Sequence, residues 1–184
     1  MLNRRTKAGL GAILLLTLLL AACGGGGVAP AEYVSSVCTA MTDFITEIQD
    51  SSGALSPDAT DPAAVKDEMV SFLDTAAKAA DTAISDIEAA GIPDVSEGQE
   101  VSDAIVDSLQ KAKEAFEAAR DEVAGMDTSD PAAFGTALMD VGTTLQDASG
   151  DATSGLDALD SEELSKAAEE SEACQDMQGV ISGA

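Results

Sequence analysis

One stretch of the chain, residues 96–125, reads SEGQEVSDAIVDSLQKAKEAFEAARDEVAG. Its apolar residues recur every three or four positions, a spacing that places them on one face of an α-helix. Most of the other residues are Ala, Glu, Lys and Gln, which favour helix, and Gly125 is a typical stop. The pattern predicts one long amphipathic helix with an inward face of Val101, Ile105, Leu109, Ala112, Phe116, Ala119 and Val123.

The same spacing recurs elsewhere in the chain, and it predicts four more helices. They are expected at about 32–50, from 61 to about 90, from 130 onward, and from 161 to about 178. Because Gly150 interrupts the fourth helix, the sequence leaves open whether that helix breaks there. Asp160 is expected to cap the last helix.

Two of these helices begin with the same residues. Asp61-Pro62 and Asp130-Pro131 each combine an N-cap with a proline at the first helical position. The two starts belong to a weak repeat with an offset of 69 residues. Either an internal duplication or two equal helices with the same start signal would produce it.

The fold class follows from these helices and from the segments that connect them. Only 3% of the residues are aromatic, so the composition does not favour a sheet. The short connections at 91–95 and 125–130 make neighbouring helices antiparallel. We therefore expect an all-α protein, an up-down antiparallel bundle of four to five helices.

The N-terminus has the layout of an export signal. A basic start precedes an apolar run at 8–20, which is too short for a typical membrane span. The run ends in LAAC at 20–23, which resembles the lipobox of bacterial prolipoproteins. The resemblance implies cleavage by signal peptidase II between Ala22 and Cys23, and a diacylglyceryl group on the Cys23 thiol. An uncleaved N-terminal anchor is the alternative.

The lipobox divides the chain into three predicted parts. Residues 1–22 are the cleaved signal peptide, residues 23–31 are the lipidated Cys and a flexible Gly-rich tether, and residues 32–184 are an acidic helical-bundle domain. Three of the nine basic side chains belong to the signal, so the mature chain carries six against 34 acidic ones, a net charge of −28. Anchoring is therefore expected to come from lipid and not from charge.

Two further cysteines lie near opposite ends of the bundle domain. In an exported protein, a Cys38–Cys174 disulfide is the economical expectation, and it would close the bundle. Two buried thiols or an intermolecular bridge are the alternatives. Because both cysteines fall on apolar helix faces, the last helix is expected to dock against the first.

The composition also excludes several kinds of chemistry. Without His there is no Ser-His or Cys-His pair and no imidazole ligand, and a chain this acidic does not favour nucleic acid. We assign no catalytic residue, no cofactor and no metal. Residues 147–160 lack the EF-hand pattern, which leaves a solvated acidic loop or a loose Ca²⁺ or Mg²⁺ site. Lys111, Lys113 and Arg120 form the one basic concentration, either helix surface or a docking spot for an anionic group.

These observations predict a class of function. The expected protein is a non-enzymatic binding or interaction module, anchored to the membrane through the lipid on Cys23. Its expected partner is an envelope protein, a cell-wall component or a small ligand; a small-ligand or lipid carrier is the alternative, and an enzyme is the contrasting class. The composition is similar to that of small actinobacterial surface lipoproteins. With Gly24 after the lipidated residue, the extracytoplasmic face of the cell membrane is expected, or the outer membrane in a Gram-negative cell.

Overall fold

A computed structural model describes residues 27–55, 60–154 and 161–183 of the chain. Within these ranges it contains six helices and no strand. They are α1 (Pro30–Gly53), α2 (Pro62–Ala90), α3 (Gly98–Gly125), α4 (Pro131–Ser154), α5 (Glu162–Glu170) and α6 (Glu172–Ser182). The all-α fold class and the helical bundle are confirmed.

The shared start signal forms the same cap in both helices that carry it. The Asp61 carboxylate accepts hydrogen bonds from the amides of Ala63 and Ala64 at 3.0 and 3.2 Å. Asp130 does the same for the two corresponding amides of α4, at 3.0 and 3.1 Å. Each carboxylate thus satisfies amides that the first turn of a helix leaves without a partner.

The helices share two separate cores. The first core joins α1, the C-terminal half of α2, the N-terminal half of α3, α5 and α6, and it includes Val34, Val37, Ile87, Ile105 and Leu164. The second core is smaller and joins α2, α3 and α4 through Leu73, Ala119, Val123 and Val141. Among the described side chains, only those of α2 and α3 contribute to both cores, and those of α4 pack in the smaller one.

The number of helices differs from the sequence prediction because the last predicted helix is two. At Ser171 the backbone is extended, and its hydroxyl accepts the amide of Cys174 at 3.4 Å, which starts a new helix. The start of α5 is capped by Ser161, whose hydroxyl accepts the amide of Leu164 at 3.3 Å; Asp160 lies outside the described residues. The fourth helix continues past Gly150 to Ser154.

The first and last helices are joined as expected. Cys38 of α1 and Cys174 of α6 lie at disulfide distance, with their Cα atoms 4.9 Å apart and both side chains 2% exposed. The Gln49 amide group further along α1 donates to the Val180 carbonyl of α6 at 3.4 Å. The later residue of α1 contacts the later residue of α6, so the two helices run in the same direction. This direction fits an up-down order in which α2 and α4 run the opposite way.

Two glycines give a matched test of this packing. A Cβ built on exposed Gly142 of α4 meets nothing within 4 Å, whereas one built on buried Gly98 would lie 2.1 Å from the Pro93 carbonyl oxygen. We expect Gly142→Ala to raise the free energy of unfolding by about 0.5–1 kcal/mol, because Ala loses less backbone entropy in a helix. We expect Gly98→Ala to lower it, because the backbone must shift. Urea unfolding of both variants checks the pair; equal changes would contradict the packing.

Candidate functional site

A groove between α1 and α2 is a candidate binding surface in the described part of the chain. It consists of two adjoining open cavities of about 420 and 340 Å³, which share Ala40, Asp43 and Asp86. Small residues form part of its floor, since Ala40 and Ala83 are buried there. Phe44, half-buried, is the aromatic side chain in its wall. We call this feature the α1–α2 groove.

The charged lining of the α1–α2 groove is mostly acidic. Its carboxylates come from Glu32, Asp43 and Glu47 of α1 and from Asp86 of α2. The one cation in the lining, Lys78, is already bound to Asp74 at 2.5 Å. A ligand entering the groove therefore meets net negative charge.

The hydroxyl groups in the groove add acceptors to this surface. Ser36 and Thr39 donate their hydroxyl hydrogens to the carbonyls of Glu32 and Ser35, at 3.0 and 2.9 Å. On α2, the Thr82 hydroxyl donates in the same way to the Lys78 carbonyl, at 3.1 Å. A hydroxyl has one hydrogen and two lone pairs, so these groups offer a ligand their lone pairs. The groove is thus lined by hydrogen-bond acceptors and fits a ligand rich in donors.

The basic concentration on α3 serves to join helices. Lys113 forms an ion pair with Asp81 of α2, and Arg120 lies 3.5 Å from Asp74 of α2 and 2.9 Å from Asp121. The hydrogen bond from Lys78 lowers the pKa of Asp74, with Arg120 acting in the same direction. The hydrogen bond to Asp81 raises the pKa of Lys113. These contacts favour a structural role for Lys113 and Arg120 over docking of an anionic group, whereas Lys111 is exposed.

The lowered pKa of Asp74 gives a pH-dependent prediction. A carboxyl whose pKa is lower in the folded protein than in the unfolded chain stabilises the fold. This stabilisation is fully present above the unfolded pKa of about 4, and it is lost as the pH falls through the lower pKa of the folded state. We therefore expect Asp74→Asn to lower the urea midpoint modestly at pH 7 and to have a smaller effect at pH 3. Asp67→Asn, on an exposed part of the same helix, is the control. An Asp74→Asn effect that is equal at both pH values would contradict the ion pairs.

Tyr33, the single tyrosine, belongs to the first core and not to the groove. Its side chain is fully buried, and its hydroxyl has no hydrogen-bond partner among the described residues. Burial raises the pKa of this hydroxyl, although the nearby Ser102 hydroxyl opposes the shift. A neutral phenol in this position packs against α3 and offers no ionised group for chemistry.

The structure brings together only some of the residues singled out from sequence. Cys38 and Cys174 meet, whereas Ala22 and Cys23 lie outside the described residues. Over 27–55, 60–146 and 161–183, no group of His, Cys, Asp and Glu side chains could hold a metal ion. The side chains of residues 147–160, considered above for loose cation binding, are not described. The groove carboxylates were not singled out, because carboxylates occur throughout so acidic a sequence.

Comparison with known proteins gave no assignment. The chain matches no family model, no curated protein and no solved structure. Among the described helices, none combines the length and the apolar character needed to cross a bilayer.

Proposed function

We propose that this protein is an extracytoplasmic lipoprotein that presents a non-enzymatic binding module at the cell membrane. The single observation that carries the proposal is the LAAC segment at 20–23, placed four residues before Gly27, where the described fold begins. A lipid on Cys23 would hold the domain at the membrane, because two or three acyl chains bind firmly. A net charge of −28 on the mature chain would not favour adhesion to an anionic surface.

The α1–α2 groove is the proposed binding surface of this module. Four carboxylates and several hydroxyl acceptors line it, so it suits a partner that carries ammonium or guanidinium groups. We propose a basic segment of another envelope protein as that partner. Both cavities of the groove are open to solvent and carry carboxylates in their lining, which supports protein contact over carriage of a lipid.

Photo-cross-linking in native membranes tests the groove. A benzophenone amino acid in place of Ser36, which lines the groove, is expected to give a defined adduct with one envelope protein. The adduct should be lost when Asp43 and Asp86 are both changed to Asn. It should persist when the exposed pair Asp67 and Asp140, which lies outside the groove, is changed in the same way.

The opposite pattern would refute the groove as the binding surface. An adduct that survives Asp43→Asn with Asp86→Asn and disappears in the control variant would locate binding elsewhere. Mass spectrometry of an organic extract of the purified protein tests the alternative function. Abundant non-covalent lipid in that extract would favour a carrier.

A further inference from the structure

The chain just before α1 is docked onto the loop between α2 and α3. The Val28 amide donates to the Ile92 carbonyl at 2.7 Å, and the Asp94 amide donates to the Val28 carbonyl at 2.8 Å. A Cβ built on Gly27 would lie 2.5 Å from the Ile92 carbonyl oxygen, so the backbones approach more closely than any other residue permits. Residues 27 and 28, expected from sequence to belong to the tether, therefore belong to the folded domain.

This docking limits how far the domain can stand from the lipid. Cys23 precedes Gly27 by four residues, and a fully extended chain covers at most about 14 Å over that length. The docked residues lie at the end of the bundle where α1 begins, α2 ends and α3 begins. The opposite end is about 40 Å away, because α2 has 29 residues.

An exposed apolar side chain lies at this same end. Ile92 is 43% exposed, although its backbone carbonyl is bound to Val28. Its neighbours Asp94 and Glu97 are exposed and acidic. The exposed Ile92 side chain offers apolar area for a shallow contact with a bilayer surface, and the two carboxylates would repel anionic lipids there.

We propose that the α2–α3 loop end of the bundle faces the membrane and that Ile92 contacts the bilayer interface. The proposal depends on the lipid anchor at Cys23 proposed above. The occupant of this surface is the lipid bilayer itself. The docked Gly27–Val28 segment keeps this end of the bundle within about 14 Å of the anchor, which is shorter than the bundle itself.

The chain contains no Trp, so one introduced Trp reports on one position. The lipidated protein carrying Ile92→Trp is reconstituted into vesicles of zwitterionic lipid with brominated acyl chains, which quench a nearby indole. The matched control is Met139→Trp on α4, because Met139 is 75% exposed and apolar but lies about two turns from the far end of the bundle. We expect at least twofold stronger quenching at position 92 than at position 139.

Two further measurements distinguish a failure of the proposed orientation from a failure of the lipid anchor. Vesicle flotation reports anchoring alone, so failure to float would overturn the lipid anchor and this proposal together. Flotation with equal quenching at the two positions, or with none at either, would overturn the orientation alone. Adding Gly27→Val, which cannot keep the close approach, should lower the quenching ratio, because it lengthens the free connection while α1 still begins at the same end of the bundle; an unchanged ratio would overturn the role of the docked segment in the orientation.

Discussion

Cys23→Ser is expected to abolish fatty-acid labelling of the protein and to move it from the membrane to the soluble fraction. Serine has no thiol to form the thioether, and the lipobox resemblance makes that thiol the acceptor. The loss of label should be nearly complete, because the expected acceptor atom is absent from the variant. The bundle itself should keep its helical circular dichroism spectrum, since the described fold begins after residue 26.

Metabolic labelling with a tagged fatty acid, followed by fractionation, measures this effect. A variant with Cys38→Ala and Cys174→Ala is the matched control, because it removes the other two cysteines and should keep its label. Undiminished label on Cys23→Ser would contradict the lipoprotein assignment. If the control lost its label and Cys23→Ser kept it, the lipid would be attached to Cys38 or Cys174.

Removing the Cys38–Cys174 bond is expected to have the largest effect on stability. The bond closes a loop with a sequence separation of 136 residues. Constraining the unfolded chain over such a loop contributes about 5 kcal/mol in the chain-entropy model. We expect Cys38→Ala with Cys174→Ala to lower the free energy of unfolding by up to this amount, while α5 and α6 keep their contacts with α1 in the cold.

Alanine is preferred to serine at both positions because each side chain is buried, and a buried hydroxyl would add its own cost. Urea midpoints of the wild-type and double-variant proteins, each with and without reductant, measure the effect. Reductant should destabilise the wild-type protein and leave the variant unchanged. Equal midpoints for all four samples, or two alkylated thiols on the unreduced wild-type protein, would contradict a stabilising bond.

The hydrophobic periodicity and the helix start signals predicted most of the fold. The spacing of Val101, Ile105 and Leu109 has a physical cause, burial on one face of α3, so the inward residues could be read directly. The Asp61 and Asp130 caps were equally predictable, because a carboxylate before Pro satisfies the first amides of a helix. Such interactions join residues that are close together in the chain, so the sequence alone indicates them.

Three features were not predictable in the same way, one of them local and two dependent on distant residues. The break at Ser171 is made by its hydroxyl, which caps a new helix. The apolar residues keep their helical spacing across this break as far as Cys174, so the sequence pattern does not reveal it. The Gly27–Val28 docking joins segments about 64 residues apart through two backbone hydrogen bonds, which leave no side-chain pattern. The carboxylates of the α1–α2 groove come together only when α1 packs against α2, and the sequence offers many other carboxylates that do not.

The intact mass of the protein purified from membranes without reductant decides whether it is a disulfide-closed lipoprotein. We expect a chain that begins at Cys23, carries a diacylglyceryl group, with or without a further acyl chain, and has lost the two thiol hydrogens that one disulfide removes. A chain that begins at Met1, or a Cys23 without lipid, would contradict it.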